Sequence, residues 1–196
     1  MIVIVNYGAG NIFSLTAALA RLDIAYGMIN EPQDFDRYQR IIIPGVGHAG
    51  TAMAKLVSSG LAESIYRLTK PVLGICVGMQ LLSARSEEGS ADMLGIVPVD
   101  TLHFRGRISE KVPHMGWNSV NFSPDCPLFK GISLAAYFYF VHSYFLEHHE
   151  RYTVASTNYG VHFAAAINKA NFWAVQFHPE KSGEVGEQLL RNFNNF

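Results

Sequence analysis

Pro71-Val72-Leu73-Gly74-Ile75-Cys76-Val77-Gly78-Met79-Gln80-Leu81-Leu82 decides how the rest of the chain is read. An apolar run rises to Cys76 and a second one follows it, the pattern of a strand, a sharp turn and the first turns of a helix. Gly74 and Gly78 flank Cys76 and remove side chains where strand and helix backbones crowd together, so the middle residue projects outward. This is the arrangement of a nucleophile elbow with sulfur in place of oxygen. A thiol so placed sits at a helix N-terminus, whose N–H groups and positive dipole end favour the attacking thiolate. The competing reading is structural, because unpaired cysteines are also common as small buried core residues.

Near the other end of the chain, the strand-like run 172–177 stops at His178-Pro179-Glu180. A thiol nucleophile needs these two partners: an imidazole to take its proton and return it to a leaving amine, and a carboxylate to orient the ring. Alone, the tripeptide is equally a strand end closed by a rigid turn. Combined with the elbow it defines a candidate triad, Cys76, His178 and Glu180.

Between these sites the chain has the rhythm of an α/β protein. Residues 2–5 and 41–43 are continuous β-branched runs suited to strands buried on both faces of a parallel sheet. Apolar residues at helical spacing predict a helix over 12–22, and a further helical stretch covers 50–68 with a break at 58–60. A short strand is expected over 24–29. Beyond the elbow the alternation fades, and short strands are predicted around 96–99, 117–122, 137–141, 153–157, 163–167 and 172–177, as antiparallel extensions of the same sheet. A helix over 184–196 closes the chain, with Val185, Leu189, Leu190 and Phe193 facing the core. The expectation is a single α/β domain spanning residues 1–196, with a largely parallel central sheet flanked by helices and antiparallel additions in its C-terminal half.

Composition narrows the function classes. With 196 residues, 49% hydrophobic and 16% charged, and a formal net charge of −1, the chain carries no basic footprint for nucleic acid or anionic membrane. No apolar run approaches the ~18 residues of a membrane span, and the start lacks a basic signal-like region. Two cysteines, Cys76 and Cys126, are too few for a secreted disulfide framework. A reducing cytoplasm is the expected setting. Eight histidines invite a metal reading, but His142, His148 and His149 lack zinc-site spacing, so no metal or other cofactor is expected. The acidic pair Glu87-Glu88 reads as a solvated loop, and Gly-x-Gly after the first strand lacks the remaining marks of a dinucleotide fingerprint.

The elbow and Gln176-Phe177-His178-Pro179-Glu180-Lys181-Ser182 together resemble the class I, or triad, glutamine amidotransferases. Further strings resemble the glutaminase subunits of imidazole glycerol phosphate synthase, the HisH family: Asn6-Tyr7-Gly8-Ala9-Gly10-Asn11, Pro44-Gly45-Val46-Gly47-His48, Pro113-His114-Met115-Gly116-Trp117-Asn118 and Tyr139-Phe140-Val141-His142-Ser143-Tyr144. One position departs: the family usually reads Asp-Tyr-Gly where this chain has Asn6-Tyr7-Gly8, so a formal charge is missing there.

The resemblance implies hydrolysis of the glutamine side-chain amide, with Cys76 as nucleophile, His178 as acid and base, and Glu180 as its orienter. It supports an oxyanion hole built from the Val77 N–H and the backbone of Gly45, Val46 and Gly47. It implies substrate contacts from Gln80 and from His142, Ser143 and Tyr144. It also implies a (β/α)8-barrel cyclase partner, HisF, that receives the ammonia in histidine biosynthesis. Asn11, Trp117 and Lys181, in or beside the family strings, are the expected docking residues. A glutaminase serving a different synthase, or a cysteine hydrolase on the same scaffold, are the competing readings.

Overall fold

Apolar runs without polar alternation are strands covered on both faces, and they build the parallel half of the molecule. The computed structural model describes residues 1–134 and 136–196. In it β1 (Ile2–Val5), β2 (Tyr26–Ile29), β3 (Arg40–Gly45) and β4 (Val72–Cys76) run parallel in the order β2-β1-β3-β4. The crossovers carry α1 (Ile12–Arg21), then α2 (Ala49–Ser58) and α3 (Leu61–Tyr66). The break expected at 58–60 is Gly60, whose left-handed backbone (φ 74°) turns the chain between α2 and α3.

After β4 the elbow helix α4 (Val77–Gln80) is a single turn. Two-residue strands β5 (Arg85–Ser86) and β6 (Ala91–Asp92) follow, then β7 (Thr101–His103), β8 (His114–Ser119), β9 (Asn121–Phe122), β10 (Tyr137–His142), β11 (Tyr144–Glu147), β12 (Thr153–Tyr159), β13 (Val161–Lys169) and β14 (Phe172–Val175). The sheet continues from β4 as β14-β13-β11-β7-β5-β6, with β12 and β9 branching from β13. β14 pairs parallel to β4, which sets His178 beside the elbow, and the neighbours beyond it are antiparallel apart from the single β5–β7 contact. The α/β class, the mostly parallel centre and the antiparallel C-terminal strands are as expected.

Two expectations are corrected. Residues 96–99 form no strand: their apolar side chains are buried, but the backbone turns back on the elbow segment, with Val97 N donating to Leu82 O at 2.8 Å. And β8 with β10 does not extend the central sheet but forms a separate antiparallel ribbon. The closing helix α5 (Gly183–Asn194) buries Leu189, Leu190 and Phe193, with Val185 half-buried at its edge. Phe138, Phe140, Phe163 and Phe177 are fully buried where ribbon, sheet and site meet. Each contributes about 1.5–3 kcal/mol by leaving water, so the wall behind the site is among the firmest parts of the fold.

Candidate active site

Cys76 ends β4 with φ 55° and ψ −111°, a backbone conformation unfavourable for a residue with a Cβ. The surroundings hold it there. A Cβ on Gly78 would collide with the Ile43 carbonyl oxygen, and one on Gly74 would lie 2.6 Å from the Gly78 oxygen. One on Gly45 would lie 2.6 Å from Gly78 N and 2.7 Å from the Val77 Cβ. Only glycines let β3, β4 and α4 approach this closely, and the turn that aims the thiol follows from that approach.

Cys76 opens onto a cavity of about 300 Å³. His178 lines it from the segment after β14, with Glu180 two residues further on. His178 Nδ1 meets Glu180 Oε1 at 2.8 Å, and both side chains are almost wholly shielded from solvent. A carboxylate only accepts, so Nδ1 carries a proton and Nε2 is the nitrogen left for the thiol. Nε2 has no well-aligned hydrogen-bond partner among the described residues, yet its ring responds to the Cys76 sulfur. Burial by itself lowers the His178 pKa; the contacts with Cys76 and then Glu180 outweigh it and bring the imidazole up to about 10. His178 thus shares the cavity with the thiol, and the carboxylate stands behind the ring rather than on the cavity.

The segment after β3 faces the thiol from the opposite side. Val46, Gly47 and Val77 line the cavity; Gly45 sits one residue back, packed on Val77 and Gly78. This segment is tied down at both ends. The buried Tyr7 hydroxyl donates to the Pro44 carbonyl at 2.7 Å, and Glu88 accepts from the Ala49 N–H at the start of α2. Burial, and then the proximity of Cys76, raise the Tyr7 pKa, which keeps this hydroxyl a donor. Asn6 is exposed beyond β1, its backbone N–H on the Ile29 carbonyl.

The far wall is Gln80, Val141, His142, Ser143 and Tyr144, with Pro113 and Lys181 at the mouth. Gln80 is buried; its Nε2 donates to the Tyr144 carbonyl at 3.2 Å, whereas its Oε1 is unpartnered among the described residues. His142 contributes backbone to the wall, but its ring is used internally. Nδ1 bonds the Tyr144 carbonyl at 2.8 Å and Nε2 meets His114 Nδ1 at 2.9 Å. Burial pushes both imidazoles down, His114 to about 4 and His142 to about 3, so the pair is neutral.

Of the acidic pair, one residue departs from the sequence reading. Glu87 is on the surface, bound to Arg107 and to the His103 N–H, and the latter bond most strongly holds its carboxyl below the usual range. Glu88 is not merely a solvated loop residue: it lines the cavity and clasps α2. Gln176, fully buried, places its Nε2 3.7 Å from Cys76 Sγ. Its place in the string before His178 was the available signal, but strand periodicity marks it only as inward-facing.

Of the expected docking residues, Asn11 caps α1 through Ser14 N and Ser14 Oγ. Trp117 is more than half exposed and meets Tyr139 edge-on at 6.1 Å, while Lys181 Nζ lies 5.9 Å over the same ring. Phe13, two residues past Asn11, is 83% exposed, and Met115 is exposed on β8. None of these residues lines the cavity, Lys181 excepted. Among the described residues no cluster of His, Cys, Asp or Glu is placed to hold a metal ion, and no helix is long and apolar enough to cross a membrane.

The family described as glutamine amidotransferase class-I matches residues 3–195. Imidazole glycerol phosphate synthase subunit HisH of Bacteroides fragilis is 46% identical over 193 residues, spanning 98% of this chain and 97% of that protein. The chain belongs to the class I glutamine amidotransferases, in the HisH family. The HisH subunit of Methanocaldococcus jannaschii is 45% identical, with 98% of each chain covered. Among solved structures, PurLQS from Thermotoga maritima superposes with a TM-score of 0.74 at 18% identity, over 99% of this chain and 97% of that one. A crystal structure described as a glutamine amidotransferase gives 0.76 at 16% identity, over 98% and 97%. These two speak for the amidotransferase fold. The family membership makes this chain a glutaminase-type enzyme.

Proposed function

We propose that this chain is the glutaminase half of an imidazole glycerol phosphate synthase, and that Cys76, His178 and Glu180 perform the hydrolysis. The observation that carries the proposal is the buried His178 imidazole, fixed by Glu180 through Nδ1 and lining the same cavity as Cys76, with its Nε2 unpartnered among the described residues. The thiolate attacks the γ-carbonyl of glutamine. The N–H of Val77 and the backbone of Val46 and Gly47 receive the oxyanion, worth about 10²–10³ in rate per donor. Gly45 serves by letting that backbone approach. His178 gives its Nε2 proton to the departing ammonia, then takes one from the water that cleaves the γ-glutamyl thioester. Glutamate leaves with the thiolate restored.

Charge and polarity around the cavity fit the amino-acid end of glutamine. Glu88 offers a carboxylate to the α-ammonium, the Gln80 Oε1 offers an unused acceptor, and Ser143 and Tyr144 present backbone and hydroxyl groups. Phe13, Met115 and Trp117 are exposed apolar side chains that a partner would cover. The partner proposed is the (β/α)8-barrel cyclase subunit, HisF, with Asn11, Trp117 and Lys181 in the contact. A free catalytic thiol suits a reducing cytoplasm.

The test is Cys76→Ser in the complex with the cyclase subunit. Glutamine-dependent synthesis is expected to fall by at least 10³-fold, since a hydroxyl is a far weaker nucleophile, while synthesis from added ammonium salt persists. Equal loss of both activities would assign Cys76 to folding or docking instead.

A further inference from the structure

The nucleophile's environment is less favourable to a thiolate than the sequence implies, because α4 is one turn and a one-turn helix has little dipole to offer. Gln176 supplies a donor in its place. It is fully buried, so its carboxamide needs polar partners, and it has two: Gln80 Nε2 at 3.3 Å from its Oε1, and Cys76 Sγ at 3.7 Å from its Nε2.

The direction of that amide is set by chemistry. The Tyr144 carbonyl can only accept, so Gln80 turns its NH2 toward it, at 3.2 Å. The same NH2 reaches Gln176, which must answer with its oxygen and is left with its NH2 facing the sulfur. Tyr144 is held in turn by His142 Nδ1; His142 Nε2 faces His114 Nδ1, and His114 Nε2 faces Asn118 Nδ2 at 3.3 Å. A continuous string thus runs from β8 to the thiol, and each amide and ring in it has one consistent orientation.

We infer that Gln176 is a further residue of the catalytic site: its carboxamide donates to Cys76 Sγ, favours the thiolate, and is aimed by Gln80. The inference rests on Cys76 being the nucleophile, which glutamine hydrolysis tests separately. Its own test needs no glutamine. Iodoacetamide alkylation of the full chain is followed against pH, with peptide mass spectrometry scoring Cys76 apart from Cys126.

Gln176→Leu removes the donor and is expected to slow Cys76 alkylation at neutral pH by about tenfold, moving the profile about one pH unit to the alkaline side, in keeping with a hydrogen bond to a charged group. Gln176→Glu keeps the shape but sets an acceptor against the sulfur, so its shift is larger in the same direction. Gln80→Leu, which never touches the sulfur, shifts the profile by an intermediate amount because Gln176 loses its orienting partner. A wild-type profile in Gln176→Glu, or in folded Gln176→Leu, overturns the assignment and leaves Gln176 a core-filling amide. A wild-type profile in Gln80→Leu overturns the aiming role.

Discussion

Gly78→Ala tests whether the elbow is shaped by backbone contact. The added methyl would fall on the Ile43 carbonyl oxygen, 2.9 Å from the Ile43 carbonyl carbon and 3.5 Å from that of Pro44. All three atoms belong to β3, which is hydrogen-bonded on both sides by β1 and β4 and has little freedom to retreat. Overpacking of this kind costs about 1–3 kcal/mol, and a central strand puts it near 3. Alanine returns up to about 1 kcal/mol of helix propensity at α4. The steric term wins by about 2 kcal/mol, which for a domain of this size lowers Tm by about 4–8 °C. A displaced elbow also moves the thiol, and a misplacement near 1 Å costs about 10²-fold in rate. The comparison is Gly95→Ala, where φ is 64° but nothing lies within 4 Å. It should lose roughly 1 kcal/mol to left-handed strain and no glutaminase activity. Melting curves of both variants, with glutamate release measured in the complex, give the result. If Gly78→Ala melts no lower than Gly95→Ala and keeps its rate, the elbow is not held by this contact.

A glutamine analogue bearing a diazo-ketone should label Cys76 and spare Cys126, whose thiol is raised first of all by its burial; label found mainly on Cys126 in peptide maps would reverse the assignment. Because the folded His178 is held near 10, above its ordinary 6.5, its stabilising contribution is complete below about pH 6.5 and is lost as pH rises through about 10. Calorimetry of His178→Gln should therefore show a shallower alkaline fall in Tm than wild type, and an unchanged slope would refute the coupling. On the acid side the sign is opposite. His114 and His142, kept neutral by burial, contribute fully above about pH 6.5 and lose this as pH falls toward 4 and 3, so His114→Gln should flatten the acid limb. Lys181→Ala should weaken binding of the proposed cyclase subunit by several-fold in titration calorimetry, and an unchanged affinity would leave its ammonium in solvent.

In the parallel half β1, β3 and β4 were legible because they are buried on both faces, as in Ile2–Val5, and a run without alternation has few other uses. The elbow was legible because glycine spacing encodes a contact between backbones. Residues 96–99 misled because burial was real but no strand lay alongside to pair with them. The ribbon was missed for a related reason: β10 alternates buried and half-exposed positions, and that period names a face without naming the neighbour. Candidate residues that speak through short strings, Gln80, Ser143 and Tyr144, do converge on one cavity. Glu88 and Gln176 needed coordinates, since the first depends on where a loop folds back and the second on which way an amide points.

The β8–β10 ribbon is joined to the His178 backbone: His178 N donates to the Tyr139 carbonyl at 2.9 Å, and Ser182 Oγ accepts from Tyr139 N while donating to the His178 carbonyl. The ribbon's outer side carries Met115 and Trp117. An exposed apolar surface and the imidazole of the proposed triad therefore share one mount. For protein engineering this means that the outer ribbon is not an exchangeable module. Grafting a foreign ribbon to redirect the chain to another synthase would reset the histidine's alignment at the same stroke, so specificity has to be rewritten side chain by side chain.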